Sequence, residues 1–258
     1  MLKVHAVPTF TDNYVWIIQA PDSSEVCVID PGDAGPVIAY LKQQKLELVR
    51  IFITHSHFDH INGINEVLAY KNVPVYGPDC DAIPQVTCPQ QEGATFTLFD
   101  ADVTVWHLPG HLPEHLGYIV KHGHDTQVFS GDIMFSGGCG RIFEGTHQEL
   151  KSSLDRLASL PNETLVYGTH EYTQSNLEFA KAVEPDNTAI DTRAKEVSTL
   201  RAAGAPTLPT NILTEKAINP FIRCDETGVI TATANKLDHE PNDALEVFTA
   251  LREWKNGF

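Results

Sequence analysis

Hydrophobic and polar positions follow the period of a β-strand over much of the first two-thirds of the chain. Apolar residues at helical spacing mark two segments between these runs, at 37–41 and 61–68, and a capping-box pattern at Thr146–Glu149 predicts a third helix to about Leu160. Strands therefore come in runs with helices between the runs, which predicts two mixed sheets with helices on the outside. The strand predictions cover residues 2–7, 14–18, 26–29, 48–53, 73–76, 95–98, 103–108, 118–120, 128–130 and 165–167.

The pattern changes after Tyr172, where no strand-rich stretch follows. A capping-box pattern at Ser175–Glu178 and a related start at Thr188 predict helices, and 208–222 is predicted to be a Pro-containing loop. Residues 242–255 carry apolar side chains on one face of a helix. We therefore expect a larger domain over residues 1–172 and a smaller, α-helical domain over residues 173–258.

Composition narrows the class of protein. A hydrophobic content of 42% over 258 residues supports a full globular core, and no apolar run reaches the ~18 residues of a membrane span. The N-terminus lacks the apolar segment of a secretory signal, and the five cysteines are scattered without a C-x-x-C pair. We expect a cytoplasmic protein that acts as a monomer. The net charge of −16 speaks against a nucleic acid partner, whose phosphates would be repelled.

Three histidines and a carboxylate lie within six residues, from His55 to His60. The segment follows the predicted buried strand 48–53 and precedes a helical pattern, so it occupies a strand-to-helix loop of the kind that carries ligands in α/β folds. Imidazole and carboxylate groups suit zinc, iron or manganese. His55 and His57 can face one ion. Asp59 and His60 must point elsewhere, which indicates a second ion.

Three further candidate ligands follow predicted strands in the same way. His111 comes after strand 103–108, Asp132 after strand 128–130, and His170 after strand 165–167. Each lies next to a glycine or a small residue. We expect these side chains to converge with the His55–His60 loop at one edge of the sandwich.

The H-x-H-x-D-H string resembles the signature of the metallo-β-lactamase superfamily. The resemblance implies an α/β (α+β) architecture, the αββα sandwich, here with a smaller C-terminal α-helical domain. It also implies two divalent metal ions, with zinc expected first and iron or manganese as alternatives. The implied ligands are His55, His57 and His111 for the first ion, Asp59, His60 and His170 for the second, and Asp132 as the bridge.

Two ions that share a water molecule lower its pKa and generate a hydroxide that can attack a carbonyl carbon. The sequence has no G-x-S-x-G nucleophile motif, in agreement with that chemistry. Asp59 and Asp132 would hold the hydroxide in place as the catalytic carboxylates. This reasoning predicts hydrolysis of an ester, thioester, amide or phosphodiester without choosing among them.

The chain resembles the glyoxalase II (hydroxyacylglutathione hydrolase) family over essentially its whole length. The resemblance is carried by the segments Ser136–Thr146 and His170–Thr173, together with Arg252 and Lys255. The resemblance implies hydrolysis of S-D-lactoylglutathione to D-lactate and glutathione, the second step of methylglyoxal detoxification. Glutathione would bind between the two predicted domains. The implied substrate contacts are Arg141, Phe143, Tyr172, Arg252 and Lys255.

Some positions depart from the family pattern. The family more often has Lys at Arg141 and Tyr at Phe143, and the usual Thr-x-Gly is missing after His111. His115 is a candidate to support the site through a ligand. Asp30 is equally a candidate support and a simple turn former.

Three alternatives stay open at this point. The first is a persulfide dioxygenase with a single iron on the same scaffold, which should use fewer ligands and lack the C-terminal helical domain. The second is a nuclease of the superfamily, which should carry a basic surface. The third is a metal-binding module without activity, although structural zinc sites are closed and rich in cysteine.

Overall fold

The computed structural model describes all residues from Met1 to Phe258. The chain forms two compact units, of which the first comprises Met1–Leu108 and Glu114–Gly131 and the second Pro109–Pro113 and Asp132–Phe258. None of its helices combines the length and the apolar character that crossing a bilayer requires. The domain boundary expected at residue 172 stays a prediction.

The first unit begins with a six-stranded sheet in the order β1-β2-β3-β4-β5-β6. Strands β1 to β3 pair antiparallel, whereas β4, β5 and β6 each pair parallel with the strand before. Parallel pairing makes β4 a buried central strand whose carboxyl end opens into the His55–His60 loop. The strands are β1 Lys3–Thr9, β2 Asn13–Gln19, β3 Glu25–Ile29, β4 Glu47–Phe52, β5 Val75–Pro78 and β6 Cys88–Gln90.

Three helices accompany this sheet: α1 Ala34–Gln44, α2 Phe58–Ile61 and α3 Ile64–Tyr70. The buried stripes of α1 (Val37, Leu41) and α3 (Ile64, Val67) share one hydrophobic core with β2, β3 and β4. Each fully buried aliphatic side chain contributes about 1.5–3 kcal/mol to the free energy of unfolding. The helix predicted over 61–68 is interrupted at Gly63, where a side chain would collide with the backbone of Pro31.

A second six-stranded sheet has the order β14-β13-β10-β9-β8-β7. In the first unit, β7 to β10 form an antiparallel meander, and in the second unit β13 pairs antiparallel with β14. A two-stranded hairpin of β11 and β12 lies between β10 and β13 along the chain. The strands are β7 Thr95–Leu98, β8 Ala101–His107, β9 Leu116–His122, β10 Asp125–Gly131, β11 Met134–Phe135, β12 Gly138–Cys139, β13 Leu165–Gly168 and β14 Thr210–Asn211.

The second unit is mainly helical. The capping box predicted at Thr146 is present, because the Thr146 side chain accepts from the Glu149 N–H and the Glu149 side chain accepts in return. The box predicted at Ser175 is wrong, since that helix begins at Thr173. The helices are α4 His147–Ala158, α5 Thr173–Val183, α6 Thr188–Ala202, α7 Ile212–Ile218, a 3₁₀ turn at Pro220–Ile222, α8 Thr227–Leu237 and α9 Ala244–Asn256.

The loop predicted over 208–222 is also wrong, because α7 and the 3₁₀ turn lie within it. The Asn211 side chain accepts a hydrogen bond from the Thr214 N–H at 2.8 Å, and the Asn219 side chain accepts from the Phe221 N–H. Two asparagine caps thus start two short helical segments. Segments of this length are too short to display a helical period.

Candidate metal centre

The His55–His60 loop starts where β4 ends in the parallel part of the first sheet. The Leu116 N–H donates to the Thr54 carbonyl, which fixes the loop at its first residue. His57 then precedes α2, which turns the chain so that Asp59 and His60 leave from a helix rather than from the loop. His55 and His60 are completely buried, and Asp59 is partly exposed. Two candidate ligands therefore leave from the loop and two from the helix that follows it.

Asp30 settles which nitrogen of two ligand histidines carries the proton. Its carboxylate accepts from His60 Nδ1 at 2.9 Å and from Thr54 Oγ1 at 2.7 Å. Because the Thr54 hydroxyl donates its only proton to Asp30, its oxygen must accept the hydrogen bond from His55 Nδ1, at 3.0 Å. Both imidazoles are therefore protonated on Nδ1, which leaves each Nε2 lone pair for a metal ion. Asp30 is thus a support of the site as well as a turn residue.

Two more side chains of the first unit hold this loop, and sequence reasoning missed both. Asn13 Nδ2 donates to Asp59 Oδ2 at 2.7 Å, from the start of β2. The Glu114 carboxylate accepts from the Ser56 hydroxyl at 2.5 Å and from the Ser56 N–H at 3.3 Å. Glu114 lies in the segment that lacks the family's Thr-x-Gly, so this segment supports the His55–His57 loop with a carboxylate. Single polar residues of ordinary type carry no signal of such contacts in a sequence.

His115 also supports the loop. Its completely buried ring stacks on His55 with ring centroids 4.8 Å apart. Gly131 makes room for this stack, because a side chain there would lie 2.6 Å from His115 Nε2. The structure therefore agrees with a supporting role for His115 through a ligand histidine.

The second unit contributes His111, Asp132 and His170, and all three side chains are buried. His111 Nδ1 donates to the Arg141 carbonyl at 2.7 Å, so its Nε2 is the nitrogen left for a metal ion. Asp132 Oδ2 lies 3.6 Å from His111 Nε2 and 3.1 Å from His170 Nε2. One carboxylate thus lies within reach of two ligand nitrogens, as a bridging ligand requires.

The spacing of these atoms fits divalent metal ions. Two ligand atoms on one tetrahedral zinc ion lie about 3.3 Å apart, because the Zn–N bond is about 2.0–2.1 Å long. His55 Nε2 and His57 Nδ1 are 3.1 Å apart, and His60 Nε2 lies 3.6 Å from Asp59 Oδ2. The ligand atoms form two groups, each within 4.8 Å, namely His55, His57, His111 and Asp132, and Asp59, His60 and His170. All seven ligands expected from the sequence appear in these groups.

The five expected substrate contacts all belong to the second unit. Arg141 is exposed, Phe143 is 61% exposed and packs edge-on against His111 at 5.3 Å, and Tyr172 stacks on His170 at 4.7 Å. Lys255 is partly buried and donates to the Ser175 carbonyl at 3.0 Å. Arg252 differs from the other four in its burial, because it is only 3% exposed. It donates to the backbone carbonyls of Cys139 and Gly140.

Two pKa shifts describe the chemistry around these residues. Burial raises the pKa of the Cys139 thiol, which keeps it protonated and a poor nucleophile despite the nearby Arg252. Burial also lowers the pKa of Lys255, and the neighbouring cations Arg252 and Arg141 lower it further, against the opposing effect of Glu178. A cluster of cations therefore surrounds Lys255 in a protein of strongly negative net charge.

Two family models together account for nearly all of the chain. A model described as the metallo-beta-lactamase superfamily matches residues 8–170, and a model described as the hydroxyacylglutathione hydrolase C-terminus matches residues 171–258. A hydroxyacylglutathione hydrolase of Vibrio cholerae serotype O1 is 48% identical over 259 residues, covering 100% of both chains. One of Pseudomonas fluorescens is 42% identical with the same coverage.

Solved structures agree on the fold. The match to ETHE1 from Myxococcus xanthus has a TM-score of 0.64 at 22% identity and covers 99% of both chains. The BLEG-1 B3 metallo-beta-lactamase has a TM-score of 0.62 at 23% identity, covering 86% of this chain and 99% of that one. TTHA1623 in a di-iron-bound form has a TM-score of 0.54 at 30% identity, covering 65% of this chain and 91% of that one.

The architecture expected from the sequence is therefore confirmed, with mixed sheets, outer helices and a helical C-terminal region. The ETHE1 match covers the helical region too, so the presence of that region does not by itself separate the members of this fold. Relatives that are at least 42% identical over the whole length bear one name, hydroxyacylglutathione hydrolase, and therefore distinguish this family from the others with the same fold. On this evidence the chain belongs to the hydroxyacylglutathione hydrolase family of metallo-β-lactamase-fold enzymes.

Proposed function

We propose that this enzyme hydrolyses S-D-lactoylglutathione, and 2-hydroxyacyl thioesters of glutathione in general, to the hydroxy acid and glutathione. The observation that carries the proposal is the pair of His/Asp ligand groups in a chain whose full-length relatives bear the name hydroxyacylglutathione hydrolase. We further propose that it acts as a cytoplasmic monomer in the second step of methylglyoxal detoxification.

The proposed metal ligands are those expected from the sequence. His55, His57 and His111 would hold one divalent ion, Asp59, His60 and His170 a second, and Asp132 would bridge them. Zinc is the first choice, and iron or manganese accept the same donors. Such ions, when bound, would supply an acidified water molecule for attack on the thioester carbonyl and positive charge to stabilise its oxygen.

The protein's own residues prepare the ligands for this chemistry. Asp30, Thr54 and the Arg141 carbonyl hold the Nδ1 protons of His60, His55 and His111, so that each Nε2 is presented as a lone pair. Asn13 holds one oxygen of Asp59. These contacts fix ring and carboxylate orientations before an ion binds.

Glutathione would be held by the second unit. Arg141 and Lys255 offer positive charge to its carboxylates, Tyr172 offers a hydroxyl, and Phe143 an apolar surface. Arg252 contributes to the same cation cluster, although its guanidinium faces the protein backbone. In an oxidoreductase with a single iron, the group of Asp59, His60 and His170 would bind no metal ion. The presence of this second group therefore disfavours that alternative.

The test measures metal content and S-D-lactoylglutathione hydrolysis on the same purified sample. We expect about two metal ions per chain and thioesterase activity. His170→Ala should lose close to one ion and nearly all activity, whereas the matched control His124→Ala, in an exposed turn, should lose neither. One ion per chain in the wild type, with full activity in His170→Ala, would contradict the two-ion proposal.

A further inference from the structure

Arg252 is buried in the second unit, and the protein accepts hydrogen bonds from one nitrogen of its guanidinium, Nη1, whereas the buried Nε has no hydrogen-bond partner. Nη1 donates to the Cys139 carbonyl at 3.0 Å and to the Gly140 carbonyl at 3.3 Å, with Cys139 Sγ at 3.4 Å. The guanidinium carbon lies over the Phe221 ring, 5.0 Å from its centroid. Nη1 has two N–H bonds, and these acceptors use both, so neither is available to a substrate carboxylate.

The backbone carbonyls that accept from Arg252 immediately precede the carbonyl that holds His111, a proposed metal ligand. The next carbonyl along the chain, that of Arg141, accepts the Nδ1 proton of His111 at 2.7 Å. Gly140 packs so closely that a side chain there would collide with the Asp132 carbonyl and lie 3.1 Å from His111 Nδ1. Three successive carbonyls, at residues 139, 140 and 141, are thus fixed by one arginine at one end and by a histidine at the other.

We infer that Arg252 is a positioning residue for the metal site rather than only a contact for glutathione. By fixing the carbonyls of Cys139 and Gly140, it orients the Arg141 carbonyl, which holds the His111 ring with Nε2 presented as a ligand. The inference rests on the proposed ligand role of His111. It would connect helix α9, in the C-terminal family region, with the proposed ligand His111 of the same unit.

Two roles for Arg252 make opposite predictions. A contact to the glutathione carboxylate would hold ground state and transition state alike, so its loss would raise KM for the glutathione thioester and change little else. A positioning role predicts weaker metal binding and a lower kcat, and also a lower rate with a small thioester that lacks the peptide. Loss of a group that orients a metal-ligating histidine typically weakens metal binding by about 10–100-fold.

The decisive variant is Arg252→Met, which keeps the apolar stem over Phe221 and removes the donors. Zinc affinity, measured by competition with a chromophoric chelator, should weaken about tenfold, and kcat should fall for both substrates. Arg252→Lys, which keeps a shorter cationic donor, should recover part of both. The matched control is Arg223→Met, since Arg223 also donates to a carbonyl, that of Lys216, and pairs with Glu184. It should lower the unfolding temperature without changing zinc affinity.

Zinc affinity within twofold of wild type in Arg252→Met, with an increase in KM alone, would overturn the inference and leave the proposed function intact. The same conclusion would follow if Arg252→Lys were no better than Arg252→Met. If His111→Ala kept wild-type zinc affinity and activity, the proposed ligand role itself would fail, and the inference with it. If Arg252→Met does not fold, the comparison of Arg252→Lys with the wild type decides by the same readouts.

Discussion

Asp30 accepts hydrogen bonds that fix the protonated nitrogen of two candidate ligand histidines. Its two oxygens accept from the Thr54 N–H, the Thr54 hydroxyl and His60 Nδ1, and the hydroxyl passes the constraint on to His55. One buried carboxylate therefore sets the tautomer of two histidines, one in each proposed ligand set. Its backbone φ of 50° lies in the left-handed region, which Asp and Asn tolerate better than other side chains.

Asp30→Asn is expected to weaken metal binding about 10–100-fold while the fold persists. Asparagine tolerates the same backbone conformation, but its amide NH₂ would face either the donors of His60 and Thr54 or the Thr54 N–H. Metal titration by chelator competition checks the change. Asp33→Asn is the control, because Asp33 only caps α1 through the Gly35 N–H and Asn caps equally well. Equal affinities in the two variants would contradict the role assigned to Asp30.

The candidate ligands could be found in the sequence because each follows a strand and stands beside a small residue. The strands 103–108, 128–130 and 165–167 all exist, and the side chains after them enter the two ligand groups. The contacts of Asn13 and Glu114 could not be found in this way. They depend on the distance between parts of the chain 46 and 58 residues apart, which no local pattern encodes.

At the scale of elements, the β11–β12 hairpin is held by one polar side chain of α7 and by the asparagine that follows this helix. Glu215 is completely buried on α7 and accepts from the Gly137 N–H at 2.8 Å and from the Thr210 hydroxyl at 2.7 Å. Asn219 Nδ2 donates to Glu215 and to the carbonyls of Phe135 and Gly138. Burial raises the pKa of Glu215, and these donors oppose the shift. The hairpin that precedes Arg141 therefore depends on α7, which lies where the sequence pattern predicts a loop.

Glu215→Gln is expected to lower the free energy of unfolding by about 1–3 kcal/mol, because an amide NH₂ leaves buried donors unsatisfied. Either orientation of the amide fails, since both carboxylate oxygens accept hydrogen bonds. Urea unfolding followed by circular dichroism checks the value. Glu163→Gln, at an exposed turn, serves as the control. A loss no larger than that of the control would mean that the network contributes nothing to stability.

Glu246, in the first turn of helix α9, is a second carboxylate with a shifted pKa. Glu246 accepts from the Asn242 N–H, the Asn242 side chain and His239, and these contacts lower its pKa to about 2. The pKa is lower in the folded than in the unfolded state, so this contribution is present above pH 4.5 and is lost as the pH falls toward 2. Glu246→Gln should therefore lower the unfolding temperature at neutral pH and flatten its acid dependence in this range. Thermal unfolding from pH 2 to 6 is the measurement, and parallel curves for both proteins would contradict the assignment.

At the scale of the whole molecule, net charge and the proposed substrate oppose each other. The chain carries a formal charge of −16, and glutathione in its thioesters has two carboxylates and one amine. At physiological salt the field of the protein is screened over about 8 Å, so association depends on contacts at short range. Lys255 is the proposed contact of this kind, and the cations Arg252 and Arg141 lie near enough to lower its pKa. A carboxylate bound there would relieve the repulsion among these cations.

Lys255→Ala is expected to raise KM for S-D-lactoylglutathione about tenfold or more, because a charge-assisted hydrogen bond contributes roughly 1.5–3 kcal/mol and tenfold corresponds to about 1.4 kcal/mol. The contact is remote from the thioester, so kcat and the hydrolysis of a small thioester without the peptide should stay unchanged. Lys181→Ala is the matched control, since Lys181 pairs with Asp191 on neighbouring helices of the same unit. Steady-state kinetics at fixed ionic strength on both substrates measures the effect. An unchanged KM in Lys255→Ala would remove this lysine from the substrate site, while a matching loss of kcat on the small thioester would give it the positioning role inferred for Arg252.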